Sequence, residues 1–241
     1  MRILVVNDDG IMAEGIRRLA EMAAVLGEVW VVAPASQCSA MSHRITVRGQ
    51  LEVKPVEFSV EGVQAYSVSG TPADCVKVAL QYVMPKKPDI VFSGINCGYN
   101  VGLDLLYSGT VGAAMEALLN GIPAIAFSCE MNDVYDVVDE YLLPITKELL
   151  DLPLPANELW NVNFPGCTVA ELKGVLRERI PAQTQFYLDH YDKEEYDGGA
   201  FCLTASGIPI TESVEGTDIA AVQGNYISIG TIRNAILAAE R

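Results

Sequence analysis

Short apolar runs alternate with segments of helical periodicity along the first 130 residues. The runs are uninterrupted, as in strands that are buried on both faces of a parallel sheet, and they lie at residues 3–6, 29–32, 90–92 and 124–128. Between them, apolar positions recur at helical spacing. This spacing predicts helices at residues 11–25, from the turn at 70–74 to residue 83, and at 111–119.

The order of these elements predicts an α/β fold with a Rossmann-like, doubly wound and mostly parallel sheet. Residues 131–155 predict a further helix, and residues 159–164 predict a further strand. In such folds, ligands bind beyond the carboxyl ends of the strands, near the point where the strand order reverses. We therefore expect the functional residues in the loops that directly follow the strands.

The pattern changes in the last third of the chain. From about residue 177 to 228 it consists of short strands around an acidic stretch at 189–197, which predicts a C-terminal β-hairpin arm. Residues 234–241 predict a short terminal helix. We expect one domain over residues 1–241, with a Rossmann-like core at 1–165 and a β-rich extension and C-terminal tail at 166–241.

Composition limits the partners and the compartment. The chain has 241 residues, of which 50% are hydrophobic, so it can bury a large core. Its net charge of -15 opposes binding to duplex nucleic acid and to anionic membranes. The apolar run at residues 3–6 is too short for a signal peptide or a membrane span, and the six cysteines form no CxxC pair. These features predict a cytoplasmic protein with free thiols and a small-molecule substrate.

Three of the loops that follow strands contain hard oxygen ligands. They are Asn7-Asp8-Asp9-Gly10, residues 36–42 with several serines, and Ser93-Gly94-Ile95-Asn96. Gly10 permits the backbone angles that would direct two adjacent carboxylates to one place. Carboxylate, hydroxyl and amide oxygens suit Mg²⁺ or Mn²⁺, whereas zinc favours His or Cys ligands. The pattern predicts a site for a hard divalent cation.

Each of these residues also has a structural interpretation. Asp8 or Asp9 can cap the following helix, although a cap uses only one carboxylate. Ser39 and Ser42 can be ordinary loop hydroxyls, and Asn96 can stabilise a turn. His43 lies near both serines, but the chain contains no GxSxG motif, so the sequence gives no support to a serine hydrolase.

The segment Tyr107-Ser108-Gly109-Thr110-Val111 introduces a helix with small residues. The first backbone N–H groups of a helix have no internal partner and attract phosphate. The segment lacks the lysine of a Walker A loop, so a small-residue helix start remains an equal interpretation. Asn100 and Gly102 are placed to shape the same wall.

Five motifs occur together in the first half of the chain. They are Asn7-Asp8-Asp9-Gly10, Gly70-Thr71-Pro72-Ala73-Asp74-Cys75-Val76, Pro88-Asp89-Ile90-Val91, Ser93-Gly94-Ile95-Asn96 with Asn100, and Tyr107-Ser108-Gly109-Thr110-Val111. In this order they resemble the stationary-phase survival protein SurE family of metal-dependent 5'-nucleotidases. Weaker similarity continues at residues 161–165, 216–218 and 225–229. Ala40 stands where the family usually has glycine.

The resemblance implies hydrolysis of nucleoside 5'-monophosphates to nucleoside and inorganic phosphate. It implies that one divalent cation per subunit, Mg²⁺ or Mn²⁺, is held by Asp8, Asp9, Ser39 and Asn96, and that the chain forms dimers or tetramers. We expect Asp8 and Asp9 to be catalytic, with one of them orienting or deprotonating the attacking water. The expected phosphate-binding residues are Asn7, Asn96, Asn100, Ser108, Gly109 and Thr110.

Other functions remain open at this point. One is a phosphatase of the acid type with broader specificity, and another is a non-catalytic nucleotide-binding stress protein. A nucleotide-sugar glycosyltransferase can share the Rossmann-like start and the acidic metal ligands. An aspartyl nucleophile is less favoured, because Asn7-Asp8-Asp9-Gly10 is not the DxDx[TV] motif of haloacid dehalogenases.

Overall fold

The computed structural model describes residues 1–238 and shows a nine-stranded central sheet with helices on both faces. The strands are β1 (Arg2–Val6), β2 (Glu28–Pro34), β3 (Val53–Val56), β4 (Gln64–Val68), β5 (Ile90–Cys97), β6 (Ala124–Cys129), β7 (Glu158–Phe164), β8 (Gly174–Arg179), β9 (Tyr187–Leu188), β10 (Tyr191–Glu195), β11 (Phe201–Ala205), β12 (Ile208–Pro209) and β13 (Tyr226–Arg233). The mostly parallel α/β fold predicted from the sequence is confirmed.

The helices follow the strands as the periodicity predicts. They are α1 (Glu14–Leu26), α2 (Pro72–Val78), α3 (Gly109–Leu119), α4 (Asp136–Asp151) and α5 (Asp218–Gln223). A π-helical segment, Ala79–Val83, continues α2, and short 3₁₀ turns occupy Gly102–Leu106 and Asp197–Gly199. Helix α1 begins three residues later than expected, because residues 11–13 complete the turn that leaves β1. Among the described residues, no helix has the length and apolar character needed to cross a membrane.

The sheet order is β3-β4-β2-β1-β5-β6-β7-β13-β8. The six strands from β4 to β7 in this order are parallel, whereas β3 and β13 pair antiparallel with their neighbours at the two ends of that block. The chain builds outward from β1 through β2 and β4, and then returns to the other side of β1 with β5. The strand order therefore reverses between β1 and β5, where ligands bind in this architecture.

Strand β1 shows why the buried runs are uninterrupted. Ile3 and Val5 pack on one side with α1 and α4, while Leu4 and Val6 pack on the other side with α2 and α3. Successive side chains of a strand point to opposite faces, so a strand covered on both faces is apolar at every position. This double burial fixes the carboxyl ends of β1 and β5 side by side.

The predicted hairpin arm is present as the antiparallel pair β10 and β11, whose residues are all exposed. The extension also supplies β8 and β13 to the central sheet. The expectation of short strands alone missed α5, which Thr217 caps by accepting a hydrogen bond from the Ala220 N–H. Asp218 is buried there and accepts hydrogen bonds from the amides of Gly102 and Ala182.

The prediction of a terminal helix is wrong for residues 234–238, which are irregular with bends at residues 235–237. The Asn234 N–H donates to the Asn157 carbonyl at 2.8 Å, and Asn157 Nδ2 donates to the Leu237 carbonyl at 3.2 Å. These contacts satisfy the backbone groups outside a helical ladder. Residues 239–241 of the predicted helix lie outside the described residues.

A close approach between α1 and β5 fixes the helix beneath the switch point. A Cβ atom added at Gly15 would lie 2.0 Å from the Ile95 carbonyl oxygen. We expect Gly15→Ala to lower the free energy of unfolding by about 3 kcal/mol, because backbone must move to admit the methyl group. Chemical denaturation measures this loss. Val25→Ala, at an exposed position of the same helix, is the control, and equal stability of the two variants would contradict the close contact.

Candidate metal and phosphate site

The turn after β1 is closed by the side chain of Asn7. Asn7 Nδ2 donates to the Gly10 carbonyl at 2.9 Å, and Asn7 Oδ1 accepts from the Gly10 N–H at 3.2 Å. Gly10 has a φ of 102°, which favours glycine. Asn7 is fully buried. The side chain of Asn7 therefore shapes the turn that presents Asp8 and Asp9, and its role in phosphate binding stays a prediction.

Asp8 is buried against the first turn of α3. Thr110 Oγ1 donates to Asp8 Oδ1 at 2.5 Å, and Asp8 is only 4% exposed. Burial raises the pKa of Asp8 to about 6, the hydrogen bond from Thr110 opposes this rise, and the charge of Asp9 adds to it. A Cβ atom at Gly109 would lie 2.9 Å from Asp8 Oδ2, so glycine is required beside this carboxylate.

Asp9 joins the same turn to the end of β5. Asp9 Oδ2 accepts a hydrogen bond from the Cys97 N–H at 2.9 Å. Burial raises the pKa of Asp9, while hydrogen bonds from Cys97 and Gln37 oppose that rise. Asp9 is more exposed than Asp8, which leaves it accessible from solvent.

Asn96 directly precedes the residue that contacts Asp9. Its Nδ2 donates to the Gly98 carbonyl at 2.8 Å, so the amide oxygen remains as the donor atom that a cation would take. Asn96 is paired in register with Ser128 on β6, which fixes its position at the carboxyl edge of the sheet. The first and third predicted loops thus meet.

The loop after β2 reaches the same edge. The Cys38 N–H donates to the Asp8 carbonyl at 2.7 Å, which brings the neighbouring Ser39 beside the β1 turn. Ser39 is exposed. Ala40 adopts a φ of 56°, the left-handed conformation that glycine enters most readily. Alanine at this position therefore still makes the turn that follows Ser39.

The start of α3 lies against this group. Ser108 is the N-cap, and its Oγ accepts a hydrogen bond from the Val111 N–H at 3.0 Å. The first N–H groups of the helix, beginning with that of Gly109, lack partners within the helix. Thr110 also accepts a hydrogen bond at its carbonyl from Ser93 Oγ at 2.7 Å, which ties α3 to β5.

Asn100 belongs to a buried polar network, and its role in binding substrate stays a prediction. Its Nδ2 donates to Ser128 Oγ at 2.7 Å, and its carbonyl accepts from Asn161 and Asn163 at 2.9 and 3.0 Å. Asn100 is 5% exposed. Asn163 was not predicted to have this role, although asparagines at alternate positions of a buried strand are a signal for such a network.

The donor atoms at this edge suit a hard divalent cation. Asp8 and Asp9 form no ion pair with a described lysine or arginine. Over residues 1–238, no group of three or more His, Cys, Asp or Glu side chains is arranged to hold a metal ion. A cation here would therefore use two carboxylates with amide and hydroxyl oxygens, as Mg²⁺ and Mn²⁺ accept.

Comparison with known proteins gives one family along most of the chain. Residues 3–186 match the family model described as Survival protein SurE. A "5'-nucleotidase SurE" from Caldanaerobacter subterraneus subsp. tengcongensis is 42% identical over 236 residues, covering 95% of this chain and 90% of that protein. One from Alkaliphilus metalliredigens is 39% identical over 238 residues, covering 96% of this chain and 92% of that protein.

A solved structure shows the same fold. The crystal structure of the SurE protein from Aquifex aeolicus superposes with a TM-score of 0.82 at 34% sequence identity, covering 97% of this chain and 93% of that chain. The fold and the site define a doubly wound α/β protein with an oxygen-rich, acidic site at the carboxyl edge of its sheet. Within that class, the chain belongs to the SurE family.

The buried Asp8 carboxylate makes stability depend on pH. In metal-free protein, the pKa of Asp8 is raised from 3.8 to about 6, so the folded state binds the proton more tightly than the unfolded state. The contribution of Asp8 is complete below the lower value and is lost as the pH rises through the higher one. We expect a loss on the order of 3 kcal/mol in wild-type unfolding free energy from this group.

Urea denaturation in EDTA between pH 4 and pH 7 measures this dependence. Asp8→Asn keeps an oxygen acceptor for Thr110 and removes the charge, so its stability should lack this decrease. Asp151→Asn, at an exposed position at the end of α4, should follow the wild type. Parallel curves for wild type and Asp8→Asn would contradict the burial of a charged Asp8.

Proposed function

We propose that the chain is a divalent-metal-dependent 5'-nucleotidase that hydrolyses nucleoside 5'-monophosphates to nucleoside and inorganic phosphate. Family membership and the relatives named 5'-nucleotidase SurE support the activity. The observation that carries the proposal is the contact between Thr110 Oγ1 and Asp8 Oδ1 at 2.5 Å. It joins an acidic cation site to a helix start suited to phosphate.

The cation is one Mg²⁺ or Mn²⁺ per subunit, held by Asp8, Asp9, Ser39 and Asn96. The support is the donor chemistry and the raised pKa of both aspartates, because a positive charge would offset the cost of burying them. When bound, the cation supplies positive charge against the phosphate oxygens and lowers the barrier to attack at phosphorus.

Backbone groups bind the phosphate more than side chains do. The N–H of Gly109 stands at the start of α3, where the helix dipole favours an anion. Ser108 and Asn96 supply further polar groups beside it. Thr110 and Asn100 support the phosphate site indirectly, since Thr110 holds Asp8 and Asn100 holds the end of β6 through Ser128.

Hydrolysis proceeds by attack of water on phosphorus. The water oxygen forms the new bond to phosphorus, the bond from phosphorus to the ester oxygen breaks, and the released nucleoside oxygen takes a proton from solvent water. Asp9 accepts the proton from the attacking water, because it is the more exposed of the two carboxylates. Asp8, which is buried and bound to Thr110, keeps the turn after β1 and the start of α3 in fixed relative positions during this step.

We extend the proposal to a homodimer or homotetramer in the cytoplasm. The support for the oligomer is the arm formed by β10 and β11, where Tyr191, Phe201 and Leu203 are 54%, 55% and 49% exposed. Apolar side chains at such a surface are typical of contacts between subunits. The net charge of -15 favours a small-molecule substrate over duplex nucleic acid or an anionic membrane.

Release of inorganic phosphate from a panel of substrates tests the activity. The panel contains nucleoside 5'-monophosphates, glycerol phosphate and p-nitrophenyl phosphate, with EDTA, Mg²⁺ or Mn²⁺. We expect metal-dependent release from the nucleotides. Asp9→Asn should lower kcat about a thousandfold, because it keeps the acceptor for the Cys97 N–H and removes the charge that takes the proton.

Asp151→Asn is the matched control and should retain wild-type turnover. Wild-type turnover in Asp9→Asn would rule out this site. Equal rates on all three ester types would indicate a broad acid-type phosphatase, and nucleotide binding without phosphate release would indicate a sensing protein.

A further inference from the structure

The loop that carries Ser39 is attached to α3 and its preceding turn at two successive residues. The Ser42 N–H donates to the Tyr107 carbonyl at 2.9 Å, and Ser42 Oγ donates to the Leu106 carbonyl at 2.7 Å. His43 Nε2 lies 2.9 Å from Glu116 Oε2, within hydrogen-bonding distance. The proposed reaction uses neither Ser42 nor His43.

Glu116 is a buried anchor for this attachment. It is 4% exposed, and besides His43 it accepts a hydrogen bond from Asn120 Nδ2 at 3.0 Å and pairs with Lys77 Nζ at 3.4 Å. Burial alone would raise the pKa of Glu116, but the hydrogen bond with His43 and the charge of Lys77 hold it below its ordinary value. Three elements thus share one buried carboxylate, so movement of any one of them removes part of the compensation for its buried charge.

The loop backbone requires such support. Residues 39–42 form neither helix nor strand, and both Ala40 and Ser42 have positive φ angles, 56° and 51°. Non-glycine residues keep this conformation only when their surroundings hold it. Gly112 permits the contact, because a Cβ atom there would lie 2.3 Å from the Ser42 carbonyl oxygen.

We propose that Ser42 and His43 form a clamp that fixes the loop at residues 36–43 against α3, and that His43 is a positioning residue for Ser39. Helix α3 also holds Asp8 through Thr110, so one rigid element sets the relative positions of two predicted cation ligands. The link to the cation depends on the proposed function, whereas the clamp itself is a property of the metal-free chain.

Two measurements on the full-length protein test the clamp. Hydrogen exchange in EDTA reports the mobility of residues 36–43, and the EPR signal of free Mn²⁺ reports metal affinity. His43→Ala should speed exchange in this loop and weaken Mn²⁺ binding about tenfold, as loss of a supporting residue does at metal sites. His43→Gln keeps a side-chain donor for Glu116 and should restore much of both.

The control uses the second histidine of the chain. His190 is exposed and directly precedes β10 of the arm, so His190→Ala should match the wild type in both measurements. A lower Tm in His43→Ala with unchanged loop exchange and unchanged Mn²⁺ affinity would overturn the proposal, since it would make His43 merely structural. If the wild type binds no Mn²⁺, the proposed cation site is wrong. Loop exchange in His43→Ala alone then tests the clamp.

Discussion

The Asp8 carboxylate is buried where β1 meets the first turn of α3, and the surrounding elements are arranged by that contact. Its side chain accepts from Thr110, while its backbone carbonyl accepts from Cys38. A buried charge is tolerated only where hydrogen bonds or a counter-charge compensate it. The turn, the β2 loop and the helix therefore form one unit. Because Asp9 also reaches the end of β5 through Cys97, this unit closes over the point where the strand order reverses.

A protein with a negative net charge repels a negatively charged phosphate substrate. This unit is where that repulsion can be overcome. Long-range repulsion from a net charge of -15 is screened within about 10 Å at ordinary ionic strength, so local groups decide binding. The helix start at Gly109 contributes partial positive charge without any basic side chain. In the proposed function, the two carboxylates beside it hold a cation, which would reverse the sign of the field near the helix start.

The sequence was sufficient for β1, β2, β5 and β6, because burial on both faces leaves an uninterrupted apolar run such as that of β1, and it predicted β7 as a further strand, but it did not place β3, β4, β8 and β13 in the central sheet. It also identified the loops that meet, because carboxyl ends of parallel strands share an edge. It was insufficient where one residue type has two uses. Asn7 closes its own turn, which a list of polar residues cannot distinguish from ligand binding. Helix α5 is short and lies among short strands, so its periodicity is weak. His43 and Glu116 are 73 positions apart, and only the packing of the loop on α3 reveals their contact.

One end of the central sheet is closed to growth. The outermost strand β3 is four residues long and contains Lys54 and Pro55. Proline lacks the amide hydrogen that an added strand would need, and a charged lysine disfavours stacking of another chain at an open border. A neighbouring molecule cannot readily prolong the sheet on this side. The protein can therefore hold a wide, strongly apolar sheet at high concentration without the risk of edge-to-edge aggregation there.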